Sequence, residues 1–358
     1  MALEFPWEAV PAPGERREIV AGLAWVRQPL PFRLDHVNCW WLDGRAADAA
    51  AGSGLVADGA DPGRVLIDTG ISSDGCRANW RAALGGTVPD AVLVTHFHPD
   101  HSGLAGHFHA GGSRLLGCEV EMRLSGRIRA ADAEAYAAVY AEWYRANGLP
   151  DETVERVRAA GNAYRSIVDA RPPPDAWRWL DAGDRTRLGG REWSVLVGRG
   201  HAPRMLMLHR AEEGLLIAAD QVLPSISPNV SLFPEAEGLF GARDDDPLGS
   251  FLASLDELRG LPADTLVLPS HGRPFLGLHE RLDALAAHHD ERLGSVLEAC
   301  AEPRSAAELF GVLFGRKLDA QQTSFALGEA LAHARRLERR GELEALEPVG
   351  GVRRFVRA

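Results

Sequence analysis

Short runs of apolar residues recur along the chain, and each run is bounded by charged or turn-forming residues. Runs of this kind, hydrophobic on both faces, are typical of strands in a sheet that helices cover. The runs that predict strands are Arg64–Asp68, Ala91–Thr95, Arg114–Gly117, Ser194–Val197, Gly214–Asp220 and Asp264–Pro269. Several end on a polar residue followed by a loop, where the sites of α/β proteins tend to lie. The pattern therefore predicts an α/β fold with candidate chemistry at the strand ends.

The pattern changes over residues 119–176. Ala131–Asn147 and Glu152–Ala170 are rich in alanine and carry apolar residues at helical spacing, and the three prolines at 172–174 end the segment. We predict a helical insertion here that returns to the sheet near Trp177. The aromatic residues three or four apart on its first helix favour packing against the body of the protein over a role in lining a substrate site.

The end of the chain predicts a separate module. Two helices, the first opened by Ser305, are followed by two strands around the turn sequence Gly350-Gly351. The predicted elements are Pro303–Arg316, Gln321–Arg340, Glu342–Val349 and Val352–Val356. Helix, helix and hairpin outline a winged helix. We therefore predict a larger domain over residues 1–302 and a winged-helix-like module over residues 303–358.

The charge of the chain bears on its partners. The 358 residues carry a formal net charge of −11. A protein that binds nucleic acid over its surface normally shows the opposite balance, because neutralised phosphates supply most of the non-specific affinity. Charge therefore argues against nucleic acid as a partner.

Cysteine usage and the N-terminus bear on location. The four cysteines, Cys39, Cys76, Cys118 and Cys300, have no paired spacing, so we predict buried thiols rather than disulfides or a cysteine-rich zinc site. Residues 1–20 contain prolines and acids and no apolar core, so they predict neither a signal peptide nor a membrane anchor. These features favour a cytoplasmic protein without a membrane partner.

The strongest chemical signal is the run Thr95-His96-Phe97-His98-Pro99-Asp100-His101, which directly follows a predicted strand. At this chain's His and Asp content, H-x-H-x-D-H arises by chance in roughly one chain per thousand. In a tight loop, residues two apart can turn both imidazoles toward one ion, while the following Asp and His face a neighbouring position. Imidazole and carboxylate are normal ligands for zinc and similar metals. The run therefore predicts the start of a metal site.

Further ligands must come from elsewhere in the chain. His201, Asp220 and His271 each stand where a predicted strand ends. A histidine on a loop is more often structural than a metal ligand, but these three residues follow the first run in the order His, Asp, His. Together they favour one metal site built from several strand ends.

With these residues in this order, the sequence resembles the metallo-β-lactamase superfamily, whose members similar to glyoxalase II and tRNase Z share the order H-x-H-x-D-H, His, Asp, His. The resemblance covers residues 18–300, approximately. It implies a metallo-β-lactamase αββα sandwich, to which the helical insertion and the winged-helix-like module are added. It also implies a metal-dependent hydrolase with two divalent metal ions, zinc first, although iron and manganese accept the same ligands.

The resemblance implies a role for each ligand. Carried over by position, the ligands of the first metal are His96, His98 and His201. The ligands of the second metal are Asp100, His101 and His271, and Asp220 bridges the two metals. Asp68, which ends the sequence Val65-Leu66-Ile67-Asp68, matches the family's early Asp, which braces the histidine loop.

The mechanism that the resemblance implies is metal-assisted hydrolysis by a metal-bridging hydroxide on a small ester, thioester or lactone. Asp100 can orient that nucleophile as well as bind metal, and we group it with Asp220 and Asp68 as the catalytic residues. β-Lactamases of this fold have a Cys at the second-metal position or lack a bridging acid, and they are exported. Asp220 therefore argues against antibiotic hydrolysis.

Four residues are candidates for binding the substrate. His36 and Asn38 belong to an N-terminal stretch common in this subgroup and are placed to approach the metals from a neighbouring strand. Arg204, three residues after His201, can pair with a carboxylate or a coenzyme A phosphate. Tyr164 of the insertion is a weaker candidate. For all four, a surface or packing role explains the residue equally well.

Two other functions stay open. A metal-dependent ribonuclease would need a basic track on the insertion and the wing, and a metal-containing sensor would bind DNA through its winged helix. In the last predicted helix, however, arginines alternate with glutamates, which favours packing or a homodimer surface over a track for phosphates.

Overall fold

Two β-sheets form the centre of the structure. The structure is a computed structural model that describes residues 3–44, 62–234, 244–315, 318 and 320–358. For Ala160, Ala320 and Gln321, only the backbone is described. The first sheet has its strands in chain order: β1 (Arg17–Val20), β2 (Leu23–Pro29), β3 (His36–Asp43), β4 (Arg64–Ile67), β5 (Ala91–Val94), β6 (Arg114–Gly117) and β7 (Trp177–Trp179). Strands β1 to β4 pair antiparallel, and β4 to β7 pair parallel.

The second sheet has the order β12-β11-β10-β9-β8. Its strands are β8 (Arg185–Leu188), β9 (Arg191–Gly198), β10 (Met205–Arg210), β11 (Leu215–Ala219) and β12 (Leu266–Pro269). Strands β11 and β12 are parallel, and the other neighbours are antiparallel. All six strands predicted from the sequence are present in the two sheets, with small differences at their ends.

The sheets pack face to face because their strands bury residues on both sides. In β4, Val65 and Ile67 belong to the core shared by the two sheets, whereas Leu66 packs with the outer helices. Strand β11 alternates in the same way, with Leu216 packed outward. This period of two residues is the normal periodicity of a strand. The resulting order of layers is helix, sheet, sheet, helix, so the predicted αββα sandwich is confirmed.

Helices cover both outer faces of the sandwich. Those on the side of the first sheet are α1 (Asp74–Leu84), α2 (Pro99–Ser102) and α3 (Ala105–Ala110). Those on the side of the second sheet are α8 (Pro247–Leu258) and α9 (Leu278–Ala299). Between β6 and β7 the chain forms α4 (Glu119–Ala130), α5 (Ala133–Ala146), α6 (Asp151–Ala160) and α7 (Tyr164–Ile167).

The prediction of one helix over Glu152–Ala170 is wrong. Helix α6 ends at Ala160 because Gly161 has φ 61° and ψ −150°, a conformation that residues with a Cβ atom rarely adopt. Asn162 then donates a hydrogen bond from its buried amide to the carbonyl oxygen of Ile128. The chain is thereby tied to α4 before the short helix α7 begins.

The C-terminal module contains a short 3₁₀ turn at Ala307–Leu309, α10 (Phe310–Leu313), α11 (Ala320–Arg339) and a hairpin of β13 (Leu343–Val349) and β14 (Val352–Arg357). The first predicted helix begins later than Pro303. Ser305 opens it through a reciprocal cap, because its amide donates to the Glu308 carboxylate at 2.7 Å and its hydroxyl faces the Glu308 amide. The winged-helix assignment stays a prediction.

Two further expectations concern the cysteines and the membrane. All four cysteines are buried free thiols, as predicted. None of the helices in the described part of the chain combines the length and the apolar character that a membrane crossing requires.

The turn between β8 and β9 closes the sandwich against β3. Gly189 has φ 58°, and a Cβ atom at this position would lie 2.5 Å from Cβ of the buried Leu42. Gly214 has φ 61° with nothing near its missing side chain, so Gly214→Ala is a matched control for the cost of the backbone conformation alone.

We therefore expect Gly189→Ala to lower the free energy of unfolding by about 1–3 kcal/mol more than Gly214→Ala does, because only the first change overpacks the core. Chemical denaturation of both variants measures the difference. Equal losses would show that the turn is free to move away from Leu42.

Candidate metal centre

Seven side chains from the ends of strands converge in the structure. They are His96, His98, Asp100 and His101 after β5, His201 between β9 and β10, Asp220 after β11, and His271 after β12. Within the group His96, His98, His201 and Asp220, one donor atom of each residue lies within 4.8 Å of the others, and the same holds within the group Asp100, His101 and His271. The structure thus brings together all seven residues that the sequence proposed as ligands.

The carboxylate of Asp220 joins the two groups. Its Oδ2 atom lies 3.2 Å from Nε2 of His201 and 3.6 Å from Nε2 of His101. Its Oδ1 atom lies 3.5 Å from Nε2 of His271, which is also 3.4 Å from Oδ2 of Asp100. Asp220 therefore lies between the two ligand groups, and its role as a bridging ligand stays a prediction.

The first four residues take their places from a short local structure. Pro99 stands at the first position of α2, where its fixed φ and missing N–H suit a helix start. His98 before it stays extended, and its Nδ1 lies 3.0 Å from Nε2 of His96. The helical turn then places Asp100 and His101 side by side, with 3.5 Å between Oδ2 and Nε2.

The ring nitrogen that faces away from the centre is hydrogen-bonded in four imidazoles. The acceptors for Nδ1 are Thr95 Oγ1 for His96 (3.0 Å), Asp68 Oδ2 for His101 (2.8 Å), the Asn229 carbonyl for His201 (2.8 Å) and the His36 carbonyl for His271 (2.7 Å). Each bond selects the tautomer whose Nε2 lone pair faces the centre. Partners of this kind orient metal-binding histidines and raise their basicity.

Asp68 is one of these hydrogen-bond partners of the histidines, so its grouping with the catalytic residues is corrected. Its side chain is buried and holds three groups: the Thr95 amide at 2.8 Å, the Thr95 hydroxyl at 2.9 Å and Nδ1 of His101. Asp68 also has φ 60°, a conformation that costs energy outside glycine and that clusters at functional sites. It is a positioning residue behind the centre, without access to a substrate.

The donor set fits divalent cations. Nε2 of His101, Nε2 of His201 and Oδ1 of Asp220 are buried atoms without a hydrogen-bond partner among the described residues. Buried polar atoms normally have a partner, because an unsatisfied one carries its full desolvation penalty. A cation held between these imidazole nitrogens and carboxylate oxygens would satisfy all of them at once.

Charges in the centre also suit metal binding. Burial lowers the pKa of His98 to about 3, so this imidazole is neutral. Burial opposes a proton on His271 as well, but the carboxylates of Asp220 and Asp100 raise its pKa to about 10. A proton on His271 and a metal ion are alternative partners for the same carboxylates, so metal binding releases protons.

The two residues proposed to contact the substrate from β3 serve the His271 loop. Asn38 is fully buried, accepts a hydrogen bond from Trp25 Nε1 and donates to the carbonyl oxygens of Pro269 and Gly272. Nε2 of His36 accepts from the Gly272 amide at 2.9 Å. The substrate-binding assignment of Asn38 is therefore wrong, since no part of its side chain is exposed.

The other two substrate candidates are also engaged within the protein. The Tyr164 hydroxyl donates to the carbonyl oxygen of Phe97, at 2.6 Å, and lies 2.7 Å from the Ser125 hydroxyl. The Arg204 guanidinium forms an ion pair with Asp181. Tyr164 thus braces the loop of the first histidines, and the charge of Arg204 already has a partner.

Sequence reasoning missed Glu121, which links two loops of the centre. This fully buried carboxylate accepts hydrogen bonds from the Phe97 amide at 3.1 Å and from the Arg204 amide at 2.5 Å. Burial raises its pKa to about 7. In the sequence, Glu121 is one acid in the first turn of a helix, a place where exposed acids are common, so no local signal distinguishes it.

Two family models match the chain. The model for the metallo-beta-lactamase superfamily matches residues 53–271, and the model described as the metallo-beta-lactamase-like C-terminal domain matches residues 293–358. The crystal structure of a beta-lactamase domain protein from Burkholderia ambifaria shares 38% sequence identity with this chain, and the TM-score is 0.86. The alignment covers 99% of this chain and 98% of that one.

Two curated relatives are enzymes. A linear primary-alkylsulfatase from a Pseudomonas species is 27% identical over 258 residues, which are 65% of this chain and 45% of the relative. An acyl-coenzyme A thioesterase from Gallus gallus is 26% identical over 203 residues, which are 56% of this chain and 63% of the relative. The chain therefore spans less than two thirds of the length of either enzyme.

The contacts of Asp68 lead to a prediction about metal affinity. In Asp68→Asn, one of the two acceptor oxygens becomes an amide NH₂. Either the Thr95 amide, or the Thr95 hydroxyl together with Nδ1 of His101, then loses its acceptor. We expect the affinity for metal to fall about 10–100-fold, the usual cost of losing an outer partner of a ligand. Competition with a chromogenic chelator measures the affinity.

Asp90→Asn is the matched control for this change. Asp90 accepts from the Arg64 amide at 2.8 Å at the edge of the first sheet, and it belongs to neither ligand group. It should bind metal like the wild type. Wild-type affinity in Asp68→Asn would refute the bracing role.

Proposed function

The chain belongs to the metallo-β-lactamase superfamily, and we propose that it is a dinuclear metal-dependent hydrolase of a small ester, thioester or lactone. The observation that carries this proposal is the shared carboxylate of Asp220, whose two oxygens face imidazoles of both ligand groups. A single-metal site would need only the first group. Two divalent cations, Zn²⁺ in the first instance, would act there as Lewis acids and lower the pKa of water.

The open side of the centre lies at Asp100. Its side chain is 20% exposed, against 7% for Asp220 and 3% for His271. Asp100 is therefore one of the ligands that an approaching substrate can reach, together with the partly exposed His98. Its carboxylate can accept a proton or a hydrogen bond from the attacking water, and His101 and His271 hold it in place at 3.5 and 3.4 Å.

Partly exposed aromatic side chains lie beside the ligands that follow β5. Leu124 and Ile128 of α4 form a buried cluster, and Phe97, Tyr136 and Tyr164 pack against it. Phe97 stands between two ligands in the sequence, so the cluster adjoins the centre. This surface favours the acyl or alkyl part of a small substrate over a chain of phosphates, in keeping with a relative that is an acyl-coenzyme A thioesterase.

The charges of α11 argue against the ribonuclease and the DNA-binding sensor. Arginines on this helix and just beyond it are paired with carboxylates, in the ion pairs Arg335–Glu338, Arg336–Asp246, Arg339–Asp245 and Arg340–Glu342. A phosphate would have to compete with these carboxylates for the arginines. A sulfate ester is a stronger second candidate, because one relative is an alkylsulfatase.

The test is a substrate panel on zinc-loaded protein: aryl esters, coenzyme A and glutathione thioesters, lactones, an alkyl sulfate and single-stranded RNA. We expect chelator-sensitive turnover of an ester, a thioester or a lactone. His98→Ala and Asp220→Ala should each lower kcat/KM by more than about 100-fold, because loss of a ligand exceeds the usual cost of losing an outer partner.

His107→Ala is the matched control, since His107 is exposed on α3 and belongs to neither ligand group. It should retain wild-type activity. Turnover of the alkyl sulfate alone would replace the proposed substrate class with sulfate esters, and cleavage of RNA alone would replace it with RNA. A folded, zinc-loaded protein that is inert on the whole panel would refute the proposal.

A further inference from the structure

Residues 227–233, hereafter the 227–233 loop, connect the metal centre to the C-terminal module. The carbonyl oxygen of Asn229 in this loop accepts a hydrogen bond from Nδ1 of His201 at 2.8 Å. A carbonyl can only accept, so the bond fixes the tautomer and turns Nε2 toward Asp220. The orientation of His201 therefore depends on where the 227–233 loop lies.

The 227–233 loop contacts backbone carbonyl oxygens of helix α11. The Leu232 amide donates to the carbonyl oxygen of Gly328 at 2.9 Å. The Ser231 hydroxyl donates its one hydrogen to Asn229 Oδ1 at 2.6 Å and lies 3.4 Å from the carbonyl oxygen of Phe325 on the helix. Val230 and Leu232 are buried in the same core as the apolar face of α11. The loop is thus fixed by both hydrogen bonds and packing on one helix.

Gly328 makes this approach possible. A Cβ atom at this position would lie 2.7 Å from Cβ of Ser231 and 3.0 Å from Cε1 of Phe233. Glycine in the middle of a helix is unfavourable relative to alanine. Its presence in the interior of α11 is explained by the close passage of the loop.

A second contact holds the start of the loop. Nδ1 of His333 on α11 donates to the carbonyl oxygen of Glu329 at 2.8 Å, so its Nε2 accepts from Nδ1 of His289 on α9 at 3.2 Å. Nε2 of His289 is then left to accept from the Ser227 hydroxyl, also at 3.2 Å. His289 and His333 are fully buried. In each ring, the bond made by one nitrogen determines whether the other nitrogen donates or accepts.

We propose that the C-terminal module positions the metal ligand His201 by clamping the 227–233 loop, with Gly328, Ser227, His289 and His333 as positioning residues. The proposal rests on the proposed binding of metal by His201. In this proposal, the module orients a metal ligand through the backbone carbonyl of Asn229. This role does not require the module to bind nucleic acid.

The test compares Gly328→Ala with the wild type in the full-length protein. The new methyl group displaces the loop from α11, so Zn²⁺ affinity should fall about 10–100-fold, the usual cost of losing an outer partner. Chelator competition measures the affinity, and the visible spectrum of the Co²⁺-loaded protein should change with the ligand field. Hydrogen exchange at the Leu232 amide, in the metal-free protein, should become faster.

Gly294→Ala in α9 is the matched control, because a Cβ atom there meets nothing within 4 Å. It should leave all three measurements unchanged. Ser231→Gly removes the two nearest atoms that the new methyl group meets and leaves Cε1 of Phe233. The double variant Gly328→Ala/Ser231→Gly should therefore recover part of the Zn²⁺ affinity relative to Gly328→Ala alone. Affinity that stays low in the double variant would overturn the proposal.

A purely structural role of Gly328 would lower the thermal midpoint and leave the Zn²⁺ affinity and the Co²⁺ spectrum unchanged, and that result also overturns the proposal. If Gly328→Ala fails to fold, Ser227→Ala replaces it, with an expected several-fold loss of Zn²⁺ affinity; wild-type affinity would overturn the proposal. A wild-type protein that binds no metal would refute the proposed function instead, whereas the exchange at Leu232 would still report the clamp.

Discussion

Seven electron-donating side chains meet in a buried space, and the carboxylate of Asp220 is the point at which they meet. Lone pairs of imidazoles and carboxylates repel one another unless protons or cations lie between them, so the surrounding protein must hold every ligand in place. Ala219 contributes by taking φ 46° directly before Asp220, at an irregularity in the pairing of β11 with β12. Its carbonyl oxygen accepts from the Ser270 amide, next to His271. The bridging carboxylate and a second ligand are thereby positioned by the same strained strand end.

The positioning contacts are spread over distant parts of the chain. Asp68 from β4 orients His101, the His36 carbonyl from β3 orients His271, and the buried Glu121 ties the loop of the first histidines to the loop that follows His201. Such contacts require a rigid support, which the doubly buried strands of the sandwich provide. The packing between the two sheets therefore determines the relative positions of the ligands. Displacement of either sheet would misalign ligands that come from both.

Sequence reasoning succeeded where the signal was local. The strand runs, the ligand order and the cap at Ser305 depend on neighbouring residues, and the structure reproduces the strands and brings all seven ligands together. It failed where a residue's partner lies far along the chain. Asn38 and Glu121 look like ordinary polar residues in sequence, yet each is fully buried and satisfied by carbonyls or amides of another loop. The helix predicted over Glu152–Ala170 failed because Gly161 and a tertiary contact to α4 outweigh its helical periodicity.

The two additions to the sandwich contact different loops of the metal centre. The insertion supplies the apolar cluster behind Phe97, and the C-terminal module supplies the helix on which the 227–233 loop rests. A nucleic-acid-binding module would be expected to present free cations, whereas the arginines of α11 are engaged with acids and its apolar face is buried with the loop. Burial of that face commits the module to the metal domain, because separation would expose Val230 and Leu232 to water. The physical role that its contacts support is therefore to complete the shape of the centre.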